Sequence, residues 1–184
     1  MTKKEKFLKE VVILYDTREQ ENKHILQWLD EHDIKYERRK LDIGDYSFLA
    51  EGKDFSQSCV IERKKDIDEL YGSTQQGRER VEKEFNAGCK TINQFVLLVE
   101  KCKSWEHLKD FCIPDKQLIA QNRKVKEIGK HCYFTLRSWE CGNRYNFRTL
   151  FVQDNKDTAK TILEQFYYYW HNYKELTKNR RFDR

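Results

Sequence analysis

The chain has 184 residues, enough for one domain with its own core, and 36 basic against 31 acidic side chains leave a net charge of +5. That mild excess permits a nucleic-acid partner without requiring one. Aromatic residues at 14% and a single proline exclude a disordered chain, and no run approaches the ~20 apolar residues of a membrane span.

Residues 1–10 form a charged N-terminal extension, and the apolar run after it is too short for a secretory segment. VVILYD at 11–16 is apolar without alternation, as expected of a strand buried on both faces. At 22–32 the spacing turns helical, with Ile25, Leu26 and Leu29 on one face. A β-hairpin is expected within 44–68, and a polar helix with Val81 and Phe85 as its apolar seam at 77–89. FVLLVE at 95–100 and TLFVQ at 149–153 are two more buried strands, with a helix expected near 125–139 between them. The stretch 112–129 is polar and irregular, as in a long loop. The strongest helix runs over 158–176, where Ile162, Phe166, Tyr169, Trp170 and Tyr173 recur at helical spacing. A domain at 11–176 would then end in a charged tail at 177–184, expected to be mobile. Strands alternating with helices imply a three-layer α/β domain, and the hairpin makes its central sheet mixed.

Six cysteines lie at 59, 89, 102, 112, 132 and 141, none spaced as CxxC or joined by histidines into a zinc pattern. Reduced thiols in a cytosolic protein are the expectation. No histidine, His107 and His131 included, has a partner at ligand spacing, so the histidines read as structural.

The stretch GDYSFLAEGKDFSQSCVIERKKDID at 44–68 is the most informative. A turn centred between Lys53 and Asp54, in the polar segment EGKDFS, would set Asp45 opposite Glu62 across two antiparallel strands. Directly opposed residues have Cβ atoms roughly 4.5–5.5 Å apart. Lys64 lies two residues beyond Glu62 and shares its face. A bulge would shift that register. Facing carboxylates repel unless neutralised, and a divalent cation with oxygen ligands neutralises them. With an ammonium nearby to hold or polarise water, this is a set of groups suited to phosphodiester hydrolysis. A surface hairpin with ordinary cross-strand ion pairs would show the same residues. Asp16 and Glu19 in YDTRE sit where the first strand ends, a place where α/β sheets gather ligands, although an aspartate there also caps helices.

GDYSF…VIERKKDID resembles the GD…ERKxxxD signature of the XPF-type nucleases, a family of structure-specific endonucleases. DTRE at 16–19 resembles the acidic motif upstream of it, FVLLVE resembles the next core strand, and the segment from TLRSWECGNRYNFRTLFVQ to the last helix resembles the family's closing strand and helix. The resemblance spans about 11–173, with 112–129 matching poorly. It implies a restriction-endonuclease-like fold and an Mg2+- or Mn2+-dependent active site. Asp45 and Glu62 match the metal-ligand acids, the Arg63 backbone carbonyl a further ligand, and Lys64 the catalytic lysine. Asp16 matches an outer or additional metal ligand, and Arg18, Glu19 and Asp68 match supporting positions. Gln76 and Arg78 are weaker candidates to line the DNA path.

Larger family members append a helix–hairpin–helix module, and the expectation here is a short stand-alone version without one, as in bacteria and phages. The expected setting is therefore the cytoplasm of a bacterial or phage-infected cell, in DNA repair, recombination or replication. A partner protein, or a homodimer through the last helix with Tyr169 or Tyr173 at the contact, would replace the missing grip on branched DNA. The aromatic run FYYYWHNY at 166–173 reads first as core packing, though aromatics beside basic residues also stack on single-stranded bases. The leading expectation is an endonuclease on branched or flapped DNA. The alternatives are a non-catalytic DNA-binding subunit of the same fold, or a nuclease acting on linear DNA, single strands or RNA.

Overall fold

The computed structural model describes residues 1–113 and 127–182, the side chains of 179–182 excepted. The helices are α1 (Lys3–Glu10), α2 (Lys23–Glu31), α3 (Ile67–Thr74), α4 (Arg78–Thr91), α5 (Trp105–Asp110), α6 (Ile128–Glu140) and α7 (Thr158–Phe182). The strands are β1 (Val12–Tyr15), β2 (Lys35–Arg38), β3 (Tyr46–Ala50), β4 (Lys53–Asp54), β5 (Cys59–Lys64), β6 (Gln94–Glu100) and β7 (Arg148–Val152). They form one seven-stranded sheet in the order β2-β1-β3-β5-β6-β7, with β4 paired to β3. β1 runs parallel to β2 and antiparallel to β3, and β6 runs parallel to β7. The α/β class and the mixed sheet with flanking helices are as read from the sequence. Most of the irregular stretch expected at 112–129 lies outside the described residues. No helix among the described residues is long and apolar enough to cross a membrane.

By contact the chain divides into two compact units: Met1–Glu62 with Thr91–Phe95 and Lys156–Arg184, and Arg63–Lys90 with Val96–Asn155. In the first unit, Ile13 and Leu14 of β1 are fully buried. Phe48 of β3 stacks on Phe55 at 4.5 Å and on Phe166 of α7 at 4.7 Å, and meets Phe7 of α1 edge-on at 6.0 Å. The N-terminal extension is thus a helix that inserts Phe7 into this core. Its start is a reciprocal cap: the Glu5 N–H donates to the Thr2 hydroxyl and the Thr2 N–H to the Glu5 carboxylate. α2 buries Ile25 and Leu29, one turn apart, as its spacing requires. α7 outruns its expected end and continues to Phe182, taking in most of the tail.

In the second unit, β6 and β7 align Leu98 with Leu150. The rings of Phe85, Trp139, Tyr145 and Phe147 pack at centroid distances of 4.7–5.8 Å. Val81 and Phe85 form the buried seam of α4 that the sequence pattern predicts.

Candidate active site

Two local devices place Asp45. The first is Gly44, at φ +75°, where a Cβ would lie 3.1 Å from the Val60 Cβ and 3.2 Å from the Ile61 carbonyl oxygen. Both the left-handed backbone and the close approach of β5 demand glycine. The second is a β-bulge. Tyr46 pairs with Ile61, yet the Asp45 N–H also donates to the Ile61 carbonyl at 2.8 Å, so two residues face one. Tyr46 and Ile61 keep the register expected from the sequence, in which Asp45 lies opposite Glu62, and the extra bond departs from it at Asp45 itself. The tight turn is not at 53–54 but at Glu51 and Gly52, which have φ +48° and +72°. Positive φ at both central residues is the two-residue hairpin turn that suits twisted strands. A second turn, with the Ser58 and Cys59 N–H groups on the Phe55 carbonyl, then adds the residues that let β5 pair with β3 at Ile61.

All six residues of β5 are buried, including Glu62 at 8%, Arg63 at 5% and Lys64 at 5% exposure. Strand alternation puts Glu62 and Lys64 on one face and Arg63 on the other. Arg63 is held by Glu100, at the end of β6, through a two-pronged ion pair: Nε to Oε1 at 2.9 Å and Nη2 to Oε2 at 3.0 Å. Glu100 is absent from the sequence-derived site; its one signal is a carboxylate closing an otherwise apolar strand.

Asp16 is fully buried. Its Oδ1 accepts from the Arg18 N–H at 2.8 Å and from Arg18 Nε at 2.6 Å, and its Oδ2 accepts from the Leu41 N–H at 2.6 Å. Arg18 Nη2 donates back to the Leu41 carbonyl at 3.3 Å. Both polar groups of the Leu41 backbone are thereby clasped, three residues before Gly44. The Asp16 N–H donates to the Asp45 carbonyl at 2.8 Å, which ties the end of β1 to the bulge. Burial would raise the Asp16 carboxyl pKa, but the hydrogen bonds from Arg18 and Leu41 hold it below the usual carboxylate value. Asp16, a candidate outer or additional metal ligand, also clasps the loop that carries Asp45. Glu19 donates its N–H to the Asp16 carbonyl at 3.1 Å and is half-buried.

In the second unit, Asp68 is exposed in the first turn of α3, whose N-cap Asp66 accepts from the Glu69 N–H at 2.8 Å. Gln76 is exposed between α3 and α4. Arg78 opens α4, pairs with Glu82 at 2.8 Å and lies over the Trp139 ring. It borders a cavity of about 550 Å³ that Lys130, His131 and Phe134 also line. Tyr169 and Tyr173, the residues expected at a dimer contact, pack edge-on against Phe55 of their own chain, and the Lys53 ammonium lies 3.8 Å from the Tyr173 ring centre. Among the described residues of α7 the exposed large apolar side chains are Tyr168 and Leu176, each at 62%.

The donors that Asp45, Glu62 and the Arg63 carbonyl offer are all oxygens, which suits a hard divalent cation rather than zinc or copper. Among the described residues no three His, Cys, Asp or Glu side chains form a ready metal cage. An all-oxygen donor set suits an ion that keeps water or substrate oxygens in its shell, as Mg2+ does.

The ERCC4 domain family model matches residues 15–164. No curated protein matches the chain. Among solved structures the chain is similar to XPF from Aeropyrum pernix, with 17% identity, a TM-score of 0.56, and coverage of 84% of this chain and 59% of that one. It is likewise similar to XPF from Aeropyrum pernix in complex with DNA, with 18% identity, a TM-score of 0.55, and coverage of 84% and 62%. At such identities the likeness is one of fold, and the chain spans about three fifths of the proteins it resembles. The family match includes the clasp at Asp16, the bulge at Asp45 and the whole of β5, and the chain belongs to the ERCC4 domain family.

Proposed function

We propose that this chain is a divalent-metal-dependent DNA endonuclease that hydrolyses phosphodiester bonds and prefers branched or flapped DNA. The observation that carries the reading is the placement of two acids. A glycine-enforced bulge presents Asp45, and β5, which pairs with that strand, carries Glu62. The likeness to an XPF structure in complex with DNA supports a nucleic-acid substrate.

In this reading Asp45, Glu62 and the Arg63 carbonyl would hold Mg2+ or Mn2+. The ion supplies Lewis-acid activation of water and neutralises charge developing on the phosphate oxygens. Lys64, on the Glu62 face of β5, orients water or the phosphate through its ammonium. Asp16 would be an outer or additional ligand and Arg18 a supporting group, and the bonds to Arg18 and Leu41 hold the Asp16 carboxylate in place. Glu19 and Asp68 support the site, and Gln76 and Arg78 lie along the DNA path. A homodimer through α7 would use Tyr168 and Leu176, since Tyr169 and Tyr173 pack on their own hairpin. A partner protein on the same face is the other way to grip branched DNA.

The test is a panel of labelled flap, fork, junction, linear duplex, single-stranded and RNA substrates with Mg2+ or Mn2+. Internal cleavage of branched DNA ahead of linear duplex is expected. Cleavage of RNA alone, or binding of DNA with no cleavage under either metal, contradicts the reading.

A further inference from the structure

We infer that Glu100 is a positioning residue for the proposed metal site, acting through Arg63; this rests on the endonuclease reading above. Arg63 stands between Glu62 and Lys64, so whatever fixes its main chain fixes where both neighbours point and where its own carbonyl aims. The Glu100 carboxylate grips the guanidinium with both oxygens, at 2.9 and 3.0 Å, and the two side chains are 3% and 1% exposed. A two-pronged grip constrains the direction of the Arg63 side chain as well as its distance, which a lysine or a single hydrogen bond does not do.

Stability alone gives a weak reason for this pair. Taking two charges out of water is costly, and a buried ion pair is often no more stabilising than well-packed apolar residues of similar volume. Two residues back on the faces that carry Arg63 and Glu100 lie Ile61 of β5 and Leu98 of β6, both fully buried, so an apolar pair would suit that face. Such a pair would leave the tilt of β5 at Arg63 set by packing only. The ion pair specifies it, on the residue whose carbonyl and neighbours form the donor set. Groups that orient metal ligands from one step away are worth roughly ten- to hundredfold in metal affinity or activity.

The experiment measures Mn2+ binding by calorimetry, single-turnover cleavage of a flap substrate, and thermal unfolding. The proteins are the parent, Glu100→Gln, Glu100→Asp and the double variant Arg63→Met with Glu100→Leu. The double variant is expected to unfold near or above the parent's temperature, yet to bind Mn2+ roughly ten- to hundredfold more weakly and to cut correspondingly more slowly. Glu100→Asp keeps the charge but draws the fork back by one methylene; it too should fold and lose metal affinity, and it carries the test where the others do not fold. Parent-like Mn2+ affinity and cleavage in any folded variant overturns the inference. A parent that binds no Mn2+ and cuts nothing instead overturns the endonuclease reading.

Discussion

Gly44→Ala and Gly52→Ala separate the two demands made on the glycine beside Asp45. Both glycines have positive φ, +75° and +72°, so alanine brings the same backbone strain of roughly 1–2 kcal/mol at either position. Their surroundings differ. A Cβ at Gly52 meets nothing within 4 Å, whereas at Gly44 it lies 3.1 Å from the Val60 Cβ and 3.2 Å from the Ile61 carbonyl, tighter than ordinary van der Waals contact. β5 has to yield, and overpacking of this kind adds about 1–3 kcal/mol. The expected costs are therefore about 1–2 kcal/mol for Gly52→Ala and about 2–5 kcal/mol for Gly44→Ala. Urea unfolding of the two variants and the parent reads the difference. Since the Asp45 peptide is part of the bulge, Gly44→Ala should also slow cleavage while Gly52→Ala leaves it near the parent rate. Equal losses of stability in the two variants would refute the argument that close approach of β5 fixes Gly44.

Asp16→Asn should destabilise by roughly 2 kcal/mol, because a buried acceptor of three N–H groups is replaced by an amide that leaves a donor without a partner; urea unfolding measures it, and parent-like stability contradicts the clasp. Glu51 is held below its usual carboxyl pKa by Lys174 and Lys6, so its contribution is complete above the unfolded pKa and is lost as pH falls through the lower folded value. The gap in melting temperature between the parent and Glu51→Gln should thus be steady from pH 6 to 8, corresponding to about 1 kcal/mol, and close under acid conditions; a gap that widens on acidification contradicts the assignment. Sedimentation equilibrium at tens of micromolar should show a dimer that Tyr168→Ser with Leu176→Ser dissociates and Tyr173→Ser does not, and a monomeric parent removes the homodimer from the proposal.

Strands β1, β6 and β7 are legible because they are apolar runs without alternation, and α4 because its buried Val81 and Phe85 recur a turn apart, whereas β2, the polar KYER, and the short helices α3 and α5 carry no such pattern and are not anticipated. α1 escaped because only Phe7 on it is buried, although its Thr2–Glu5 cap is written in the sequence. The hairpin was read as symmetric about 53–54. A glycine-bearing turn at Glu51 and Gly52, followed by a second turn at Phe55, reaches a paired register by an asymmetric route. The acids themselves stand out by motif, but their supports do not. Asp16 meets Leu41 across 25 residues and Arg63 meets Glu100 across 37, and local pattern carries no trace of contacts made only in the fold. The same limit applies to Tyr169 and Tyr173, whose rings meet Phe55 of their own hairpin edge-on.

The most direct test of the central claim is single-turnover cleavage of a labelled flap substrate by the parent, Asp45→Asn, Glu62→Gln and Lys64→Ala, with Mg2+ and with excess EDTA, alongside DNA binding by each. The account predicts cleavage by the parent with Mg2+ only and none by Asp45→Asn or Glu62→Gln. It predicts a loss of roughly 10²–10⁴-fold for Lys64→Ala, with DNA affinity little changed in all three variants. Parent-like cutting by Glu62→Gln, or cutting that persists in EDTA, would contradict it.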